Sequence, residues 1–406
     1  MRHILVANVF FAPHSYGGAT IVAQEVAHAL IRRGGFQVTA VSLCCRAGIA
    51  DYAVLKTEVD GIVNYQINVP EGRSYGAAYD NPGITARVAE LIYILDPDLV
   101  HAHCLQDLGT GVITAARDQD VPVILSVHDF WWICERQFMI QMDQTYCGQH
   151  PVKITQCKGC VENYWAARTR FEHLQTMGGL VEIVTYPSQF AKGLCENSGF
   201  ATGRGVVWEN GIRLPDKTFA KKQSVRRRQD RRLVFGFVGG PSQIKGWPLI
   251  KDAFAGLSET DFRVIVVDGS MDGSWWQGHD FSGLPGEWEV HPRFTQDEMD
   301  GFYSKIDVLL FISQWKETFG LVIREALVRG VRVIQTDSGG STEHGYIAQE
   351  DLIPIGPDPA PLRRQITDAI AAHPAHMAPC AVTDFDTQAA ALEGLIEQAL
   401  SKAGNH

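Results

Sequence analysis

Phe311-Ile-Ser-Gln-Trp-Lys-Glu317-Thr-Phe-Gly320-Leu-Val-Ile-Arg-Glu325-Ala-Leu-Val-Arg-Gly330 contains the transition that decides the fold. A β-rich run over 307 to 312 gives way to a polar loop carrying Glu317, and from Phe319 onward apolar residues recur at helical spacing. With a second β-rich run at 331 to 336, the segment reads as a strand–helix–strand unit, the building block of a parallel sheet. Glu317 then stands at the helix entrance and Glu325 about one and a half turns inside it. Two carboxylates so placed suit hydroxyl groups of a sugar and a ribose. The backbone N–H groups of Phe319, Gly320 and Leu321 suit an anion such as a pyrophosphate. On spacing alone, a capping glutamate plus a surface glutamate fits equally well.

Working outward, the same plan repeats on both sides. Strands are predicted at 233 to 238, 262 to 268 and 286 to 291, with helices at 246 to 257, 295 to 304, 320 to 330 and 360 to 372. In the first half, strands at 3 to 10, 36 to 43, 61 to 69, 98 to 104, 122 to 128 and 182 to 187 alternate with helices at 18 to 33, 82 to 95, 107 to 119 and 161 to 179. Two doubly wound α/β domains follow, 1–210 and 211–384, with a helix over 385 to 402, in a terminal segment 385–406, expected to cross back to the first domain. Ligands of such sheets bind outside the carboxyl ends of the strands, so a cleft between two such domains is the expected active site.

A chain of 406 residues exceeds what one core usually serves, which agrees with two domains. The net charge of -10 argues against nucleic acid as a partner, because phosphate backbones demand a basic footprint. The local exception is Lys221, Lys222, Arg226, Arg227, Arg228, Arg231 and Arg232, read as a solvated linker, with attraction to an anionic membrane surface as the alternative. No apolar stretch is long enough to span a bilayer, and the start reads as a first strand rather than a signal peptide. A cytoplasmic protein, peripheral on the inner membrane face if the basic stretch binds lipid, is expected.

The quoted segment, followed by Asp337-Ser-Gly339-Gly340 and Glu343, resembles the E-x7-E signature of glycosyltransferase family 4, whose members are retaining enzymes of the GT-B fold, with two Rossmann-like domains. By that resemblance Glu325 would hold the nucleotide ribose, Glu317 the donor-sugar hydroxyls, and the backbone from Thr318 to Leu321 the phosphates and sugar. Phe237-Val-Gly239-Gly240-Pro-Ser-Gln-Ile-Lys245-Gly246 is similar to the family's glycine turn and phosphate lysine. With no catalytic metal, Lys245 and helix dipoles would neutralise the leaving diphosphate. Many members carry Arg directly after the first glycine of this turn. Here Gly240 stands there, and Arg213 or Arg293 are the candidates for the second cation. Gly17 and Gly18 match the family's amino-terminal glycine loop, and Asp268-Gly269 its turn after the second strand of the donor domain. Pro187-Ser188 and Asn210-Gly211 fall in family order.

His128 follows a predicted strand where the family places a histidine against the donor sugar. A neutral imidazole both donates and accepts hydrogen bonds, as a sugar hydroxyl requires. His101 and His103 share one face of their strand and read as packing or supporting residues.

Cys134, Cys147, Cys157 and Cys160 form a C-x12-C-x9-C-x2-C pattern inside an insertion over 130–165. Four thiols suit a structural zinc or an iron–sulfur cluster, with reduced thiols or disulfides as the alternatives. Such insertions occur in a subset of the family.

The resemblance therefore implies transfer of a hexosyl-type sugar from a UDP- or GDP-type donor to a glycan or lipid-linked acceptor, as in polysaccharide biosynthesis. The acceptor hydroxyl would attack on the face the diphosphate leaves, a leaving-group oxygen taking its proton. Rival readings are a nucleotide-sugar epimerase, a sugar phosphorylase, or a domain that binds sugar nucleotide without turnover.

Overall fold

The computed structural model describes residues 1–15, 17–373 and 377–403. It divides into two compact units. Unit 1 comprises Met1–Met139, Gly148–Gly211 and Thr383–His406, and unit 2 comprises Ile140–Cys147 and Ile212–Val382. The second unit thus begins one residue later than predicted and takes in eight residues of the insertion, 140–147.

Unit 1 is built on β1 (Arg2–Ala7), α1 (Gly18–Arg33), β2 (Phe36–Cys44), β3 (Val54–Val59), β4 (Ile62–Asn68), α2 (Pro82–Leu95), β5 (Leu99–Ala102), α3 (Gly111–Arg117), β6 (Val123–Ser126), α4 (Tyr164–Gly178), β7 (Ile183–Tyr186), α5 (Gln189–Asn197) and β8 (Gly205–Val207). Its sheet runs β3-β4-β2-β1-β5-β6-β7-β8, parallel except for β3, which pairs antiparallel to β4. Strands β5, β6 and β7 are buried at every residue, because helices cover both faces of a parallel sheet. Edge strand β3 has no fully buried residue, and its six residues lack the apolar run that would have marked it. Strand β8 and helix α5 were likewise not predicted. Helix α5 starts where the Ser188 side chain accepts from the Ala191 amide, an N-cap that Pro187-Ser188 carried in plain sight.

Unit 2 contains α6 (Phe219–Gln229), β9 (Leu233–Phe237), α7 (Trp247–Ala255), β10 (Phe262–Val267), β11 (Glu287–His291), α8 (Met299–Tyr303), β12 (Val308–Phe311), α9 (Leu321–Leu327), β13 (Arg332–Gln335) and α10 (Ala360–Ala372). Its sheet order is β11-β10-β9-β12-β13, all parallel. Alternation along β9 builds two cores. Leu233, Phe235 and Phe237 join Trp247, Ile250, Phe254 and Leu362 on one face, while Val234 joins Phe302, Ile323 and Leu327 on the other. Each large side chain so buried contributes about 1.5–3 kcal/mol of transfer free energy.

The basic stretch is not a linker. Lys221, Lys222, Arg226, Arg227 and Arg228 lie on α6, and Arg226 and Arg227 reach the buried Asp307 carboxylate at 2.7 and 3.0 Å. Lys222 pairs with Asp216, and Arg232 with Asp230 and Glu287. A helix of mostly Lys, Arg and Gln lacks apolar periodicity, so it was invisible to the pattern that found the others.

The last helix, α11 (Phe385–Ala403), belongs to unit 1 and packs on α1, with Arg32 and Arg33 meeting Asp386 and Glu393 at 2.8 Å each. Buried Gln388 accepts the Gly211 amide at 2.7 Å, and its carbonyl accepts the Trp208 indole N–H at 3.0 Å. The last three residues of the predicted 385–406 segment lie outside the described residues. Among the described residues no helix is long and apolar enough to cross a membrane.

Candidate active site

In unit 2 the predicted residues gather at the carboxyl ends of β9, β10 and β12. Gly246 caps α7 with φ +82°, and a Cβ there would lie 2.0 Å from the Ile312 carbonyl oxygen. Only glycine takes that conformation and that approach cheaply. The close passage is reinforced by the Gln314 amide, which donates to the Ile244 carbonyl at 2.8 Å. Lys245 is thereby set beside the loop after β12. Its Nζ lies 2.8 Å from Glu317 Oε1, and Ser313 Oγ donates to the same oxygen at 2.6 Å. The Lys245 side chain is 34% exposed against 12% for Glu317, so the ammonium stays within reach of a ligand while its carboxylate partner is held in the wall. Trp315 flanks the ammonium with its ring centroid 5.5 Å away.

The Glu317 backbone is stitched to the next loop: its amide donates to the Ser338 carbonyl at 2.8 Å, and the Gly340 amide donates to its carbonyl at 3.0 Å. Buried Arg324 fastens both loops from below. Its guanidinium donates to the carbonyls of Phe319, Ser341 and Gly340 and stacks on the Phe319 ring at 3.8 Å. Thr318 and Phe319 are buried, and Gly320 caps α9. The helix begins at Leu321 rather than near Phe319 and has seven residues. Glu325 lies within it, buried, and accepts from the Tyr303 hydroxyl at 2.9 Å. Burial pushes its carboxyl pKa up, opposed by the Tyr303 hydrogen bond and the Arg329 charge. Glu317 therefore pairs with a cation and Glu325 with a neutral hydroxyl.

A cavity of about 170 Å³ opens beside Lys245, lined also by Gly239, Trp275, Phe311 and Ser313. Trp275 explains Gly240. The indole sits where a Cβ on Gly240 would come within 2.6 Å of it and one on Gly269 within 2.7 Å, and Gly240 has φ +70°. The two predicted glycines form the floor under one aromatic ring, and an arginine at 240 has no room. Of the two proposed substitutes, Arg213 pairs with Asp297, and Arg293 lies against Met271. The buried Asp268 carboxylate accepts the Ser270 amide at 3.0 Å and the Ser270 hydroxyl, which shapes the turn after β10.

In unit 1, Gly17 caps α1 and Gly18 begins it, directly after the loop that follows β1. Tyr16, which directly precedes them, lies outside the described residues. His128 follows β6. Its Nε2 lies 2.9 Å from Nδ1 of His103, whose ring is stacked on it at 12° between planes. His101 continues the row, 4.1 Å from His103 between centroids, with Nε2 2.8 Å from Ser126 Oγ. Burial lowers all three imidazoles: His101 to about 3, His128 to about 4, and His103 well below the ordinary value. All are neutral near pH 7. Beside them Asp129 accepts from the Trp131 amide, Gln106 and Gln137, fixing the start of the insertion.

Among the described residues, no three or more His, Cys, Asp or Glu side chains are placed to hold a metal ion. Cys134, Cys147, Cys157 and Cys160 accordingly form no such group. Cys147 belongs to the unit 2 segment of the insertion and the other three to unit 1.

Ser313, Tyr303, Arg324 and Trp275 were not singled out from sequence. Ser313 and Arg324 lie inside the stretch that opened the reading, whereas nothing local marks Trp275.

Residues 16–214 match the family described as Glycosyltransferase Family 4, and residues 218–370 match Glycosyl transferases group 1. An uncharacterized 42.6 kDa protein in the cps region of Klebsiella pneumoniae is 23% identical over 388 residues, covering 89% of this chain and 93% of that protein. A GDP-mannose-dependent alpha-mannosyltransferase of Mycobacterium tuberculosis (strain CDC 1551 / Oshkosh) is 25% identical over 264 residues, 63% of this chain and 60% of that one. The crystal structure of Anabaena HepE in complex with UDP superposes with a TM-score of 0.62 at 15% identity, covering 100% of this chain and 99% of that one. That likeness identifies the fold as GT-B.

Proposed function

The chain belongs to glycosyltransferase family 4 and is a glycosyltransferase, and from that premise we propose that it is a retaining hexosyltransferase using a UDP- or GDP-sugar and a glycan or lipid-linked acceptor. The observation that carries this reading is the Lys245–Glu317–Ser313 cluster at the carboxyl ends of β9 and β12. A diphosphate leaving group gathers negative charge as the glycosidic bond breaks. A fixed ammonium stabilises that charge more than it stabilises the ground state, which is the condition for accelerating the step. Glu317 anchors the ammonium, and donor phosphate oxygens would draw it away, leaving the carboxylate to accept from sugar hydroxyls. Glu325, held by Tyr303, serves the ribose, and His128 supplies a hydrogen-bonding imidazole for the sugar. Acceptor attack on the face vacated by diphosphate, with a departing oxygen taking the proton, gives retention.

The HepE complex with UDP and the GDP-mannose-dependent relative support the two donor classes offered. The experiment is a calorimetric screen of UDP-, GDP- and ADP-sugars, followed by NMR assignment of the anomeric configuration of the product formed with glycan and lipid-linked acceptors. Binding of a UDP- or GDP-sugar and a product with the donor's anomeric configuration are expected. Inversion, or preference for an ADP-sugar, overturns the reading.

A further inference from the structure

Two rows of side chains cross from β5 to β6 with one offset. The parallel register pairs His101 with Ile124 and Ala102 with Leu125. His101 reaches Ser126 and His103 reaches His128, each 25 residues along the chain, because strand alternation repeats the same diagonal contact two residues on. The His103 backbone is fixed as well, its amide donating to the Ala7 carbonyl at 2.8 Å. The ring is 1% exposed, wedged between the rings of His101 and His128.

Two neutral imidazoles joined by one hydrogen bond must divide the roles of donor and acceptor. Nδ1 of His103 faces Nε2 of His128 at 2.9 Å, while Nε2 of His103 is buried with no hydrogen-bond partner among the described residues. Were His128 the donor, the proton of His103 would sit on that partnerless Nε2, and a buried N–H without an acceptor carries the full desolvation cost. With His103 as donor, its proton lies in the bond, and the proton of His128 is moved to Nδ1.

We propose that His103 is a positioning residue of the transfer reaction: it donates Nδ1–H to His128 Nε2 and holds His128 as the Nδ1–H tautomer, so that His128 acts as a hydrogen-bond donor toward an oxygen of the sugar. The proposal rests on the reading of His128 as a sugar-contacting group. The nitrogen that carries the proton in a histidine is set by the bond the other nitrogen makes, and here that bond comes from a buried neighbour rather than from substrate.

The test begins with the unaltered chain labelled with 15N-histidine, in which imidazole nitrogen shifts report the tautomer directly. His128 is expected as Nδ1–H, and an Nε2–H signature overturns the proposal whatever the variants do. Two substitutions then separate positioning from packing. His103→Asn keeps an amide donor near the place of Nδ1, and His103→Leu removes the donor while filling the space. His103→Leu is expected to lower kcat about tenfold, the worth of roughly one hydrogen bond, with donor KM within about twofold. His103→Asn is expected to restore most of that loss and the Nδ1–H signature. Equal activity of the two variants, in either direction, overturns the proposal. His128→Ala is run alongside. If it leaves turnover intact, the reading of His128 fails, whereas the tautomer measurement still decides whether His103 is the donor.

Discussion

Strand β12 is bracketed by two carboxylates that both meet cations, and their surroundings differ. Asp307, before the strand, is saturated: Oδ1 accepts from Arg226 and Arg227 at 2.7 and 3.0 Å, and Oδ2 from Arg226 and the Val234 amide at 2.9 and 3.1 Å. Glu317, beyond the strand, takes Lys245 and Ser313 on a single oxygen, and the lysine is a third exposed. Burial alone would raise the Asp307 carboxyl pKa, but the two guanidinium groups outweigh it and hold it below the ordinary value. The same pairing chemistry serves different ends. A fully bonded, buried carboxylate has nothing left to offer a ligand, whereas a carboxylate with spare capacity beside a reachable cation still has hydrogen-bonding capacity to offer.

Three experiments try that contrast. The largest effect is expected at the carboxyl end of the strand. Glu317→Ala and Lys245→Ala should each lower kcat by about 100-fold or more while costing under about 1 kcal/mol of stability, since a part-exposed pair contributes little to folding. Steady-state kinetics with denaturant melts measure both, and a large stability loss with modest kinetic change would reverse the assignment. Asp307→Ala should do the opposite. It leaves two half-buried guanidinium groups without their carboxylate and should cost about 3 kcal/mol in a urea melt, with turnover per folded molecule unchanged. The smallest effect is in pH. Asp307 has a folded pKa below its unfolded value of about 3.9, so its charge stabilises the fold above that pH and the contribution is lost as pH falls through the folded value. The stability difference between the unaltered chain and Asp307→Asn should therefore be full at pH 6 and shrink below about pH 4. A difference flat across that range would mean that the Arg226 and Arg227 pairing does not set the Asp307 titration.

The same strand shows what was legible in the sequence. Its apolar run, the loop glutamate and the spacing to Glu325 are local facts, readable without coordinates, and they carried the resemblance that singled out Glu317, as the glycine turn at 237 to 246 did for Lys245. Asp307 was passed over, since its partners lie about 80 residues earlier, in a helix whose charged composition gave no periodic signal. Trp275 escaped for a similar reason: besides Gly269 in its own loop it covers Gly240, in the loop after β9. The four cysteines were grouped by proximity in sequence, and among the described residues no three His, Cys, Asp or Glu side chains are placed to hold a metal ion.

The sequence by itself determined the βαβ alternation, the two sheets and the residues at the carboxyl ends of their strands, because period, glycine placement and strand-to-helix order are local properties that propagate through simple packing rules. Only the tertiary structure decided which carboxylate is saturated and which is open, why position 240 has no room for arginine, and that His103 faces His128. Each depends on a contact between segments distant in the chain, where hydrogen-bond reach of about 3 Å, and not sequence spacing, selects the partner.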